Sequence, residues 1–217
     1  MATDVTRARL LDAAEHLLTT TSYEDLRVRA VCARAGVNPA AVHYHFGSRE
    51  DLVAALLQDR LEPFWSAPLD ELTRRPATVR EIVDAILAPL APLARLRDDR
   101  ATASLLSLLG RFVLTHPDLP WTATWFRTQT WVGILTSTID VDEATARRRW
   151  RFAFSILMTE LSTRTAPSVA AVSALADFLT AGLSAPVLEG PTTAAPTTDS
   201  APAADAPSSG RHERNQL

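Results

Sequence analysis

Apolar residues recur at helical spacing from the start of the chain. Leu10, Leu11, Ala14, Leu17 and Leu18 share one face and predict an amphipathic helix over residues 6–19. Tyr23 and Leu26 lead into a shorter helix over residues 27–35, whose apolar face is Val28, Val31, Cys32 and Ala35. Gly36 stands where a helix ends with positive φ. Asn38 followed by Pro39 starts a third helix over residues 39–46, because asparagine caps free backbone N–H groups and proline suits the first helical position. Gly47 stops it. Ser48, with Asp51 three residues on, has the form of a capping box and starts a fourth helix at Arg49. The helical pattern then continues to about Leu183, broken near residues 75–77, 97–99, 116–120, 140–142 and 165–167. No alternating strand pattern of useful length occurs, so the expected class is all-α with about nine helices. Beyond Pro186 the chain turns to Ala, Pro, Thr, Ser and Gly, which cannot bury enough surface to order itself, and residues 186–217 read as a disordered tail.

Composition narrows the function more than the fold. The 217 residues are 47% hydrophobic, enough for a packed core. Asp12, Glu15 and His16 interrupt the first apolar run, so it does not read as a secretory signal, and no uncharged stretch is long enough to span a membrane. A cytoplasmic protein is expected. The single cysteine, Cys32, excludes an internal disulfide. The net charge of -3 argues against a generally basic surface, but its distribution is uneven. No acidic residue lies between Asp25 and Glu50, while Arg27, Arg29, Arg34 and Arg49 all fall there or at its edge, with His43 and His45 among them. All 22 Lys+Arg positions are arginine, a bias that accounts for the arginines but not for the missing acids.

That window holds the stretch GVNPAAVHYHFGSREDL, residues 36–52. With about 100° per residue, a helix that turns Val42 inward places Pro39 and Phe46 beside it and His45 at the edge, and turns Ala40, Ala41 and Tyr44 outward, flanked by His43. His43 and His45 then diverge by roughly 200° and cannot converge on one metal ion. No nucleophile elbow, HExxH, P-loop or paired-cysteine pattern occurs in the chain, so neither catalysis nor a cofactor is expected. What remains is two short helices joined by Gly36, Val37 and Asn38, with small Cys32 where they must cross closely: the spacing of a helix-turn-helix. Small outward residues let such a helix sink into a major groove, alanine methyls can meet thymine methyls, and Tyr44 can reach a phosphate or a base edge.

On these residues, 9–58 resemble the DNA-binding domain of the TetR family of transcriptional repressors. The family ends its recognition helix with an aromatic Y-x-H-F element followed by a small residue, serine, lysine, glutamate and leucine; here the chain reads HYHFGSREDL. The resemblance implies base-edge and backbone contacts from Pro39, Ala40, Ala41 and Tyr44, and phosphate contacts from His43 and Arg49. His43 stands where the family often has tyrosine, and Arg49 where it often has lysine. Leu26 and Arg27 stand where the family has a capping threonine or serine, so Arg27 would replace that phosphate contact with a charged one. The implied organisation is a three-helix helix-turn-helix domain over residues 1–47 and a helical effector-binding and dimerisation domain over 48–185. Its partners would be a double-stranded palindromic operator, a second copy of the chain and a small molecule.

For the second domain the resemblance is to a subgroup that includes sensors of long acyl chains. Two stripes, Trp150, Phe154, Leu157, Leu161 and Val172, Leu175, Leu179, Leu183, would be core in a monomer. In the family arrangement their helices form a four-helix dimer interface, with Ala171, Ala174 and Gly182 allowing close approach. The arginines at 147–151 read as a solvated face. Trp65, Phe112, Trp121, Trp125, Phe126 and Trp131 are expected on helices four, six and seven. Of these, Trp65, Phe112, Trp125, Phe126 and Trp131 are the candidate ligand contacts and favour an apolar or amphiphilic effector, an acyl chain included. Arg111, Arg127 and Gln129 are candidates for its polar head. Two other readings stand beside the repressor: a helical carrier or enzyme that retains the first domain as structure, and a DNA-binding scaffold without effector.

Overall fold

The first apolar stripe is buried along α1 (Ala2–Leu18), where Leu10, Leu11, Ala13 and Ala14 are core residues. In the computed structural model, residues 2–90, 100–116, 121–163 and 167–187 are described. The expected breaks at 97–99 and 117–120, most of that at 165–167, and all but the first residues of the expected tail lie outside them.

α2 (Val28–Ala35) buries Val31, Cys32 and Ala35. It ends at Gly36, whose φ of 63° lies in the left-handed region; the Gly36 and Val37 N–H groups then close on the carbonyls of Ala33 and Cys32. A Cβ at Gly36 would also fall 2.8 Å from the Arg9 guanidinium. α3 (Ala41–Phe46) starts two residues later than the sequence pattern predicts. Asn38 is the reason: its carbonyl accepts from Ala41 N–H at 2.9 Å and its side-chain oxygen from Ala40 N–H at 2.8 Å, so Pro39 and Ala40 form a turn ahead of the helix.

Ser48 caps α4 (Arg49–Arg74), accepting from Asp51 N–H at 2.9 Å. The reciprocal half of the expected box differs, because the Asp51 carboxylate takes the Ser48 hydroxyl at 2.6 Å. α4 keeps its helical course through Pro63 and a second proline, Pro68, each of which removes the helical partner of the carbonyl four residues back, on Asp59 and Phe64. Arg60 ties α4 to α1, pairing with Glu15 at 2.7 Å and with Asp12. A complete capping box of Thr78 and Glu81 starts α5 (Val79–Ile86).

The remaining helices are α6 (Arg100–Thr115), α7 (Thr128–Thr138), α8 (Glu143–Ser162) and α9 (Val169–Ser184). Among the described residues the fold is therefore nine α-helices with no strand. One sequence expectation is corrected between α6 and α7: Trp121 is not on a helix, and Trp125 and Phe126 lie on a single 3-10 turn, Thr124–Phe126. Apolar positions 121, 125 and 126 imitate a helical face, but the Thr122 and Ala123 N–H groups bond the Gln58 side chain, each at 2.7 Å.

α6 lies along α8, and Gly110 makes this possible. A Cβ there would sit 2.5 Å from the Met158 carbonyl oxygen and 2.5 Å from the Ser162 nitrogen. α7 and α9 also pack on α8, and α9 on α5. α4 touches both ends of the fold, with α1 and α3 on one side and α5, α6 and the 3-10 turn on the other. The helices form one unit ending at Pro186; the second unit, from Val187, lies outside the described residues apart from Val187 itself. No helix among the described residues is long and apolar enough to cross a membrane.

Candidate nucleic-acid interface and effector cavity

Val42 orients α3. It is 1% exposed, packed into the core, while Cys32 is buried at the crossing of α2 and α3 with its Sγ 3.7 Å from the Pro39 carbonyl. Cys32 is thus a packing residue. With Val42 inside, His43 and Tyr44 face solvent, as do Pro39 and Ala40 on the preceding turn; Ala41 is half-buried. Pro39 therefore does not lie beside Val42 in the core, because the turn held by Asn38 carries it outward. Tyr44 is 78% exposed, the most exposed large apolar side chain among the described residues. Its ring meets only the edge of His45 at 5.0 Å among these residues.

His43 Nδ1 donates to the Gly47 carbonyl at 2.7 Å, since a carbonyl can only accept, and this fixes the ring with Nε2 free of that bond. Arg27 is the first flanking residue of α2 and makes no side-chain cap there; it is exposed, like Arg29 and Arg34. These cations line a stretch in which no carboxylate competes for phosphate.

Arg49 is placed differently. Its guanidinium lies 4.6 Å over the Tyr23 ring, pairs with Glu50 at 3.0 Å and reaches the Glu24 carbonyl at 3.4 Å. The Tyr23 hydroxyl donates to Glu50 at 3.0 Å and stands 3.3 Å from His116 Nε2 at the end of α6. Burial pushes the Glu50 carboxyl up, but hydrogen bonds from its own backbone, Arg49 and Tyr23 outweigh it and hold the group below its ordinary value. Burial and the Glu50 hydrogen bond raise the Tyr23 phenol. The network joins the α1–α2 connection, the start of α4 and the end of α6.

The second site is aromatic. Trp65, Trp125, Phe126 and Trp131 converge with Ile86, Trp150, Phe154, Leu157 and Met158 on a cavity of about 10 Å³, room for no more than about one water. Two ring pairs fill the space: Trp65 on Trp125 at 4.5 Å and 13°, and Trp131 on Trp150 at 4.9 Å and 9°. Trp65 Nε1 donates to Ile86 O at 3.2 Å and Trp131 Nε1 to Trp125 O at 2.7 Å. Trp125 Nε1 is buried with no partner among the described residues, a state that costs about 1–3 kcal/mol.

Of the sequence candidates, Phe112 is not brought to this cavity. It packs edge-on against Tyr23 at 4.9 Å and stacks on His116 at 4.3 Å. Trp121, edge-on to Phe112 at 6.2 Å and stacked on Phe126 at 4.1 Å, joins it to the cavity wall. Arg111 lines a separate groove of about 560 Å³ between α1 and α6, and Gln129 is held by Arg147 at 2.8 Å. Sequence reasoning missed Gln58. On α4, its side-chain oxygen accepts from Thr122 N–H and Ala123 N–H, each at 2.7 Å, so α4 grips the segment that carries Trp125. Nothing local in the sequence signals a bond between positions this far apart.

The family model of bacterial regulatory proteins, tetR family, matches residues 10–56, the segment from α1 through the first turns of α4. No curated protein matches the chain. Three solved structures share its fold. GusR of Salmonella enterica superposes with a TM-score of 0.55 at 20% identity, covering 82% of this chain and 95% of its own. A TetR-family transcriptional regulator from Streptomyces coelicolor gives 0.53 at 23%, covering 82% and 97%. AlkX, a TetR family repressor from a Dietzia species implicated in biodegradation of n-alkanes, gives 0.51 at 17%, covering 82% and 94%. The chain thus carries a helix-turn-helix segment that matches the tetR family model over residues 10–56, within a helical fold shared with these three proteins.

Proposed function

We propose that the protein is a ligand-responsive repressor that binds a palindromic operator as a homodimer in the cytoplasm and is released by an apolar or amphiphilic small molecule. The observation that carries this reading is α3: Val42 is buried beneath it, and Tyr44, His43 and the small Ala40 stand outward within a stretch free of acidic residues. Pro39, Ala40, Ala41 and Tyr44 would meet base edges and backbone, and Arg27 and His43 would meet phosphates. Arg49 would join them by giving up its bond to Glu50. Residues 1–47 act as the DNA-binding domain and 48–185 as the effector and dimer domain.

One recognition helix covers only a few base pairs, so specific binding calls for a second copy about one helical turn away. The two stripes read from the sequence are not the free surface for it. Trp150, Leu157, Leu161, Leu179 and Leu183 are buried within the protomer. The exposed apolar side of α8 and α9 carries Phe152 (60% exposed), Phe178 (64%) and Val169 (59%), with small Ala171, Ala174 and Gly182 also exposed. A second copy across this face would cover it as an isologous interface.

The effector would occupy the aromatic cavity. Opening it moves the Trp125 turn, and Gln58 passes that movement to α4, which begins only two residues, Gly47 and Ser48, beyond the recognition helix. The effector must bind the DNA-incompetent state more tightly, and DNA must weaken effector binding by the same factor. Selection of duplexes from genomic DNA by the purified protein tests the reading. A recurrent palindrome is expected, and selection of no common sequence contradicts it.

A further inference from the structure

The arginine run at the start of α8 is not a uniform solvated face. Arg147 pairs with Glu143 at 2.7 Å, and Arg149 closes the end of α9 by donating to the carbonyls of Leu183, at 2.6 Å, and Ala185. Arg148 and Arg151 are different. Arg148 donates to Thr145 Oγ1 at 2.8 Å, Arg151 lies 5.6 Å over the Phe152 ring, and neither has a carboxylate at ion-pair distance among the described residues. Both line an open cleft of about 610 Å³ whose only acidic lining residue, among those described, is Glu143, already held by Arg147.

The back of this cleft is Trp150 and Phe154, and the same two side chains wall the closed aromatic cavity. Two cations at an open mouth therefore stand in front of an apolar interior, separated from it by two rings one helical turn apart. The interior is built of flat faces in near-parallel pairs. A planar ring can take the place of one member of such a pair and keep its stacked contact, whereas a flexible chain leaves part of each ring face uncovered. One member is also the easiest to displace. Trp65, Trp131 and Trp150 sit on α-helices, while Trp125 sits on a single 3-10 turn and has a buried Nε1 with no acceptor among the described residues.

We propose that the cleft and the cavity are two ends of one site and that its ligand is an aromatic carboxylate. The carboxylate sits on Arg148 and Arg151, the ring enters past Trp150 and Phe154 in place of Trp125, and Trp125 Nε1 meets a polar acceptor on that ring. This rests on the effector reading above and names the class of its ligand.

Four of the protein's tryptophans wall the cavity, so intrinsic fluorescence and calorimetry both report on it. The full-length protein is titrated with hydroxynaphthoate, with its neutral amide and with decanoate. Hydroxynaphthoate is expected to bind and shift the emission, with the amide and decanoate each weaker by tenfold or more. Arg148→Ala with Arg151→Ala should weaken hydroxynaphthoate by about ten- to hundredfold, the loss of one or two charge-assisted hydrogen bonds, and leave the amide unchanged. Trp125→Phe, which keeps an aromatic face but removes Nε1, should reduce the preference for hydroxynaphthoate over naphthoate. Equal binding of acid and amide, tighter binding of decanoate, or no response to any probe overturns the assignment. Duplex selection uses no ligand, so the regulator reading stands or falls separately.

Discussion

Gln58 holds Ala123: its side-chain oxygen accepts the Ala123 N–H at 2.7 Å and the neighbouring Thr122 N–H at the same distance, while its amide nitrogen donates to Ala54 O at 3.2 Å. One side chain on the helix that follows the recognition helix thus grips the segment in front of Trp125. If the effector acts by moving that segment, Gln58→Ala should leave operator affinity within about threefold and shift the effector concentration for release by about 3- to 30-fold, the range of a typical coupling change. Anisotropy of a labelled operator during effector titration reads both. An unchanged release concentration would make Gln58 a structural clamp only.

The buried and exposed faces of α8 and α9 make separate predictions. Leu179 and Leu183 are 3% and 2% exposed, so charging them should unfold the protomer. Phe152→Glu with Phe178→Glu should instead give folded monomers by light scattering, with native helical content, that lose specific operator binding. Dimers that persist with both substitutions would move the interface elsewhere.

Gly110→Ala should be costly although alanine is the better helix former. Its Cβ would meet the backbone of α8 at 2.5 Å, and backbone cannot swing aside as a flexible side chain does. A loss of about 1–3 kcal/mol is expected in urea unfolding. A variant as stable as the parent would mean that α6 and α8 do not cross so closely.

Glu50 predicts a pH dependence whose sign follows from its direction of shift. Its folded carboxyl lies below the ordinary 4.5, so its contribution is present above that value and lost as pH falls through the lower folded value. Glu50→Gln should therefore be less stable than the parent at neutral pH, and the difference should shrink below about pH 4. Thermal unfolding of both proteins across that range measures it. A constant difference would assign the effect to packing.

Much of the first domain was legible because its signals are local. Gly36 must take a positive φ, Asn38 bonds its near neighbours, and Val42 is the large apolar residue between small Ala41 and polar His43. The start of α3 slipped by two residues because Asn38 closes a turn before the helix begins, which Pro39 disguises. In the second domain the informative contacts are long-range. Gln58 bonds backbone more than sixty positions away, and Gly110 is required by a helix that the local pattern does not reveal. α8 is apolar on two faces, so periodicity alone could not say that Leu157 faces the core and Phe152 the outside. Trp125 was read as helical because its spacing to Trp121 is that of a helix turn.

The measurement closest to the central claim is anisotropy of the selected palindromic duplex and a scrambled duplex of the same composition, titrated with the parent, Tyr44→Ala and Arg27→Ala proteins over a range of salt. Tyr44→Ala is expected to lose affinity for the palindrome by about 1–3 kcal/mol while binding the scrambled duplex as before. Arg27→Ala should weaken both duplexes alike and lower the salt slope by about 1. Equal losses on both duplexes for Tyr44→Ala, or no loss on either, would contradict the assignment of α3 as the helix that reads the sequence.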